Sequence, residues 1–350
     1  MSKTRVAVLM GGKSGEHAVS LESGKGVLKN LNYDEYEACP VVITREGRWH
    51  CADAYAAYGT ETPFNPEAFL TEHPDGAPAF PAFLLDSATR CDVVLPVLHG
   101  RYGEDGALQG LLDLYGIPCT GSGVLGSALA MHKRIAKEIY QFYKILTPEY
   151  SFYSRRQWQQ AGLSVAGAIA EKLGLPVFIK TPESGSSIGM GMARTRDEVR
   201  AIAEKLLETS DEILVEKTVK GIEVSCGVLE TLTGDVEPLM PTEILPVASA
   251  FFDYKAKYEK GGSREITPAR IPPALLERVR KTAVAAHQAL HCRGMSRTDM
   301  IIADDSIFVL ETNTLPGFTE TSLLPQGAAA CGIPYPELLD RIIACALKNR

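Results

Sequence analysis

The eight cysteines include no Cys-x-x-Cys pair, and the seven histidines are nowhere spaced as zinc ligands. A zinc ribbon and a thioredoxin-type redox motif are thereby excluded, and the scattered cysteines read as small buried hydrophobes. No apolar run approaches the roughly 20 residues that a helix needs to cross a bilayer. The opening "KTRVAVLMGG" sets basic residues before an apolar patch, but the patch is too short for a secretory leader and stops at a glycine turn. Dense lysine and arginine runs are missing and the net charge is −7, so neither nucleic acid nor a membrane is an expected partner. Internal repeats and low-complexity tails are absent too. These absences point to a cytoplasmic protein.

A phosphate-binding P-loop is also lacking, although "RVAVLMGGKSGEHAVS" contains "GGKS". In G-x-x-x-x-G-K-[ST], with Gly12, Lys13 and Ser14 closing the pattern, the first glycine falls on position 7, which is Ala7. Ala7 lies inside the apolar run Val6 to Met10, a buried strand ended by Gly11 and Gly12. A strand cannot also be the loop, so the glycines serve something else.

What is present is an ordinary soluble composition, 45% apolar and 23% charged over 350 residues, which suits two or three domains with sizeable cores. Residues 1 to about 120 alternate strand and helix signals, with "ACPVVIT" and "CDVVLPVL" as further strands. The proline-studded stretch from 60 to 82 reads as a surface excursion. The alternation predicts a parallel sheet with working loops at the carboxyl ends of its strands. "GGKSGEH" and "HGRYGEDG" both follow such strands. A second unit, 121 to 220, holds "LPVFIK", "TPESGSSIGMGM", a helix and "EILVEK"; a third, 221 to 350, holds "IEVSCGVL", a polar loop at 251 to 270 and a hairpin near 300 to 311.

That hairpin, in "RTDMIIADDSIFVLETN", turns at Asp304-Asp305. Opposed residues then have numbers summing to 609 or 610, so Asp299 faces Leu310 or Glu311, and Glu311 and Asn313 share a face. Such an oxygen cluster suits Mg²⁺ beside nucleotide phosphates, the alternative being a pair of solvated strand-end carboxylates. Lys180 ends "LPVFIK" ahead of a Gly/Ser loop, and Lys133 lies in "MHKRIAK". A loop able to donate to phosphate, two lysines and an oxygen cluster together describe Mg-ATP.

In their order along the chain, "GGKSGEHAVSLESG", "HGRYGEDGALQG", "TGSGVLGSALAMHK", "IKTPESGSSIGM", "FDYKAKY" and "GMSRTDMIIADDSIFVLETNTLPGFTETSLLP" resemble the D-alanine–D-alanine ligases of the ATP-grasp superfamily over essentially the whole length. The resemblance implies an α/β fold, α+β in its C-terminal parts, of three domains. These are an N-terminal substrate-binding domain with a Rossmann-like parallel sheet (1–120), a central ATP-grasp subdomain (121–220), and a C-terminal ATP-grasp and catalytic domain (221–350).

It also implies roles. Glu16 would receive the ammonium of the first D-alanine, near His99, with Ser186 and Tyr258 completing a hydrogen-bonded triad that closes the 251–268 loop. Lys133 and Lys180 would bind phosphates; Glu216 would read the adenine amino group, Lys217 and Val219 would offer backbone, and Glu223 would bond the ribose. Asp299, Glu311 and Asn313 would hold two Mg²⁺ ions, for which Mn²⁺ can substitute, and Arg297 with the Gly317 amide would form an oxyanion site. Ser322, the Leu323 amide and Lys257 would hold the second substrate's carboxylate. The family further implies ATP and D-alanine as substrates, a homodimer, and a place in peptidoglycan precursor synthesis.

His132 stands where the family has Asp, Lys255 where it has Glu, and "KTPESGSS" departs in its first residues. The rival readings are a D-alanine–D-lactate or D-alanine–D-serine ligase of resistance type, against which Tyr258 argues, and a non-catalytic ATP-binding regulator, against which Arg297 argues.

Overall fold

The computed structural model describes residues 3–51, 64–74, 76, 91–183, 189–246 and 263–348. Their strands form three sheets that succeed one another along the chain.

The first unit comprises β1 (Thr4–Gly11), α1 (His17–Asn30), β2 (Tyr36–Ile43), β3 (Trp49–Cys51), α2 (Pro66–Glu72), β4 (Val93–Pro96) and α3 (Ala107–Leu114). Its sheet runs β3-β2-β1-β4, parallel except for the edge strand β3. The β1 run is continuously apolar because both of its faces are covered. Val6, Val8 and Met10 enter one core, Ala7 and Leu9 another. At its end Gly11 and Gly12 take φ of +90° and +91°, and a side chain on Gly11 would overlap the Ile43 carbonyl. The glycines therefore let β1 stop hard against β2 and swing into α1. Within the proline-studded stretch, Asn65 caps α2 by accepting from the amides of Glu67 and Ala68, and Pro66 fits the first turn. Phe69 of that helix is buried, so the expected surface excursion also supplies core.

The second unit comprises α4 (Val124–Met131), α5 (Lys133–Phe142), β5 (Tyr150–Ser154), α6 (Arg155–Leu173), β6 (Val177–Lys180), β7 (Met190–Ala193), α7 (Arg196–Leu207) and β8 (Glu212–Lys217). The sheet, β5-β8-β6-β7, is antiparallel throughout. Helices α6 and α7 cover one face through Trp158, Ile169, Val199 and Ala203 against Val177, Ile179, Ile213 and Val215. The alternation of a strand then turns Lys180 and Glu216 to the other face.

The third unit comprises β9 (Ile222–Glu230), β10 (Val236–Pro238), β11 (Thr242–Pro246), β12 (Ser263–Ile266), α8 (Pro273–Ala289), β13 (Met295–Ala303), β14 (Ser306–Asn313), α9 (Leu323–Ala330) and α10 (Tyr335–Lys348). The sheet order is β12-β11-β9-β13-β14, with β10 on β9. Strand β12 lies within the span expected as a polar loop. Helix α8 packs Val279, Ala283 and Ala286 on Val224, Met300 and Val309. Helix α10 packs on this unit through Leu229 and Leu324 and also reaches across to the first. Its Leu338, Leu339, Ile342 and Ile343 share a core with Val6, Val8, Met10 and Leu95, so the chain's last helix covers its first sheet.

Candidate active site

The β13–β14 hairpin depends on a one-residue irregularity. Pairs sum to 610 from Arg297↔Asn313 to Asp299↔Glu311, and to 609 from Met300↔Val309 onward, so Leu310 is the extra residue of a bulge. The consequence is chemical. Met300 and Val309 face α8, and Glu311, two residues beyond Val309, would face it too in a regular strand. The bulge turns Glu311 and Asn313 to the opposite face, beside Asp299.

On that face Asp299 is 4% exposed and accepts from Arg297 Nε at 2.9 Å, Arg297 Nη2 at 2.8 Å and Ser225 Oγ at 2.6 Å. Asn313 Nδ2 donates to its other side at 3.3 Å. Glu311 pairs with Lys133 Nζ at 3.2 Å. Among the described residues no three His, Cys, Asp or Glu side chains gather as a ready metal cage. Two opposed carboxylates with one amide fit instead the sparse, oxygen-only set that Mg²⁺ takes when substrate phosphates and water complete its shell. Arg297 and Lys133 neutralise those carboxylates here.

Lys180 and Glu216 face each other on the side of the second sheet opposite α6 and α7, Nζ to Oε2 2.5 Å, and the fully buried Lys137 of α5 holds Oε1 at 2.5 Å. Burial alone would raise the Glu216 carboxyl, but the two ammonium groups outweigh it and hold it down at about 2. Burial likewise disfavours the Lys180 ammonium, and Glu216 more than restores it. The Glu216 carboxylate thus bridges two lysines rather than standing open to a base. Lys217 ends β8 exposed, its amide donating to Glu149 O at 2.8 Å, and Val219 lies half-buried just beyond. Glu223 sits half-buried on β9, opposite Ile244. His132, between α4 and α5, has Nε2 3.1 Å from Glu212, which explains how this chain accommodates an imidazole there.

Glu16 immediately precedes α1 and is 6% exposed. Gly100 approaches it so closely that a Cβ there would lie 3.0 Å from Glu16 Oε2, at a φ of +69°. Beside them the His99 ring is buried, and burial lowers its basicity. Its Nδ1 donates to Leu315 O at 3.1 Å, which leaves Nε2 to accept from Ser23 Oγ at 3.3 Å. Glu104, 8% exposed, accepts from the amides of Gly100 at 2.9 Å and Leu315 at 3.0 Å. Burial, then Glu16, push its carboxyl up to about 7.

The loop after β14 leads to Gly317 and α9. Ser322 precedes α9 and its Oγ accepts from the Thr319 amide at 2.9 Å, while Leu323 begins the helix. A Cβ on Gly317 would meet Ser322 Oγ at 2.8 Å. Ser186, Lys257, Tyr258 and the departure at Lys255 lie outside the described residues.

The structure therefore brings Lys133 to Glu311, Lys180 to Glu216, Arg297 to Asp299 and Asn313, and Gly317 to Ser322. Sequence pattern misses Glu104, Lys137 and Ser225. Glu104 sits in "GEDG", which reads as a turn, and Lys137 follows Lys133 by one helical turn, where a solvated lysine is the ordinary reading. Ser225 on β9 shows itself only through its register with Asp299.

Among known proteins, the family described as D-ala D-ala ligase N-terminus matches residues 5–122, and D-ala D-ala ligase C-terminus matches 139–344. A D-alanine–D-alanine ligase of Syntrophobacter fumaroxidans is 41% identical over 348 residues, 99% of each chain. The D-alanine–D-alanine ligase of Bacillus anthracis, solved in complex with ATP, is 32% identical with a TM-score of 0.74, covering 100% of this chain and 98% of that one. The VanG D-Ala:D-Ser ligase of Enterococcus faecalis is 32% identical with a TM-score of 0.83, covering 99% of this chain and 100% of that one.

Proposed function

The chain belongs to the D-alanine–D-alanine ligase family, and we propose accordingly that it joins two D-alanines into D-alanyl-D-alanine with ATP, through an acyl phosphate, for peptidoglycan precursors. The observation that carries the reading is the bulged hairpin, which sets Arg297, Asp299, Glu311 and Asn313 on one face within reach of the Glu16 and His99 pocket through Leu315.

Glu16 binds the ammonium of the first D-alanine, a charge-assisted contact that also selects an amino acid. Lys133 and Lys180 hold the ATP phosphates, with Lys137 keeping Glu216 and hence Lys180 in place; Glu216, Lys217, Val219 and Glu223 line the nucleoside end. The first carboxylate attacks the γ-phosphorus and ADP leaves, with Lys180 neutralising the transferring oxygens. Asp299, Glu311 and Asn313 would hold two Mg²⁺, or Mn²⁺, which supply charge neutralisation at those oxygens. The second D-alanine, its carboxylate at Ser322, the Leu323 amide and Lys257, attacks the acyl carbon through its amine and releases phosphate and a proton. Arg297 and the Gly317 amide stabilise the oxyanion, each donor contributing about 3 to 4 kcal/mol. Tyr258 and Ser186 close the lid that keeps water from the acyl phosphate.

We place the enzyme in the cytoplasm as a homodimer; no helix among the described residues is long and apolar enough to cross a membrane. The VanG likeness links this fold to D-serine ligation as well, but the 41% identity to a D-alanine–D-alanine ligase along the whole chain favours D-alanine. A coupled ADP assay against a panel of D-amino and D-hydroxy acids tests the reading. Greatest kcat/KM with D-alanine is expected, and preference for D-serine or D-lactate would reject it.

A further inference from the structure

Leu315 is held on both sides of its peptide. Its amide donates to Glu104 Oε1 at 3.0 Å and its carbonyl accepts from His99 Nδ1 at 3.1 Å. The residue stands between Asn313 and Gly317, on the loop that joins the hairpin to α9. The other carboxylate oxygen of Glu104 accepts from the Gly100 amide at 2.9 Å, and Gly100 in turn lies against Glu16. One carboxylate thus spans the two halves of the site: the turn beside the ammonium-binding Glu16, from the first unit, and the loop of the oxyanion amide, from the third. Two further approaches fasten the same seam. Ser23 Oγ accepts from the Phe318 amide at 3.2 Å, and Gly26 of α1 leaves room for the Phe318 carbonyl, which the Tyr335 hydroxyl holds from within the third unit. Of these groups Glu104 alone accepts from both sides of the seam. Its side chain is buried, so neither amide has water as a ready substitute.

Resting on the ligase reading above, we propose that Glu104 is a positioning residue for the reaction: by bridging the Gly100 and Leu315 amides it fixes the distance between the first substrate's ammonium site and the oxyanion loop. Both oxygens are engaged by backbone, so Glu104 acts through the groups that it places and not by touching substrate.

Two substitutions separate geometry from charge. Glu104→Gln keeps the length but leaves one acceptor oxygen for two amides; Glu104→Asp keeps the charge but draws both oxygens back by a methylene. If the bridge matters, both raise the KM for the first D-alanine by about tenfold or more, as small misplacements in a reacting site do, and leave the ATP Kd within about twofold. Amide hydrogen exchange in the peptide containing Leu315 and Gly317 should quicken in both variants, a readout that needs no turnover and also stands if one variant is too unstable for kinetics. Normal kinetics with Glu104→Asp would assign Glu104 a merely electrostatic part and overturn the proposal. Lowered thermal stability with unchanged KM and unchanged exchange would do the same. Wild-type protein that releases no ADP with D-alanine refutes the ligase reading, and the exchange measurement then still decides whether Glu104 holds the loop.

Discussion

Lys137→Met removes one cation from the buried Lys137–Glu216–Lys180 cluster while nearly preserving side-chain volume. Lys137 is fully buried, with Nζ 2.5 Å from both Glu216 Oε1 and Thr147 Oγ1. Losing one partner of a buried ion pair costs about 3 to 5 kcal/mol when the remaining charge is stranded. Glu216 retains Lys180, which sets the loss at the lower end, about 3 kcal/mol. With a urea slope of about 2 kcal/mol per molar, the midpoint falls by about 1.5 M. Trp158 reports the right transition, since it is buried in the core of the same unit; the other tryptophan, Trp49, lies in the first sheet and is replaced by phenylalanine for the assay. Burial lowers the basicity of Lys137 against the opposing pull of Glu216, and without Lys137 the Glu216 carboxylate draws on Lys180 alone, so the ATP Kd should rise. A midpoint shift below about 0.3 M, or a gain, would show that Lys137 is not balancing Glu216 and would refute the reasoning.

Glu311→Gln should abolish ATP-dependent ligation with the fold intact, and near-normal turnover in saturating Mg²⁺ would reject the metal assignment. Lys13→Ala should change ATP binding little, because Lys13 lies against Gly47 and over the Tyr102 ring, whereas Lys180→Ala should raise the ATP requirement steeply. Gly317→Ala forces a methyl to 2.8 Å from Ser322 Oγ, costing about 1 to 3 kcal/mol in overpacking and raising the KM for the second D-alanine above that for the first. The Glu216 carboxyl, held at about 2 against an ordinary 4.5, binds fewer protons folded than unfolded. Its contribution to stability is complete above about pH 4.5 and is lost as pH falls towards 2. Urea midpoints across that acid range should therefore fall more steeply in the wild type than in Glu216→Gln.

Much of the architecture is legible from local pattern. The strands of the first unit are continuous apolar runs because both faces are buried, and the turn at Gly11-Gly12 announces itself by composition. The hairpin's two candidate registers are both real, one on each side of Leu310, yet which residues lie on which side of a bulge depends on packing against α8 and β9. Glu104 and Leu315 lie far apart in sequence, so no spacing links them; their bond exists only where the third unit packs on the first. Lys137 is hidden for the same reason. Its helical position is ordinary, and only docking of α5 beside the Glu216 face makes it a buried charge.

In the proposed reaction the first D-alanine carboxylate becomes an acyl phosphate before the peptide bond forms. D-Alanine labelled with ¹⁸O in its carboxylate probes that step without intermediaries, with ATP, Mg²⁺ and the purified protein, by mass analysis of the phosphate and the dipeptide. One ¹⁸O atom is expected in the inorganic phosphate for each D-alanyl-D-alanine formed. Dipeptide accompanied by unlabelled phosphate would contradict the acyl-phosphate route.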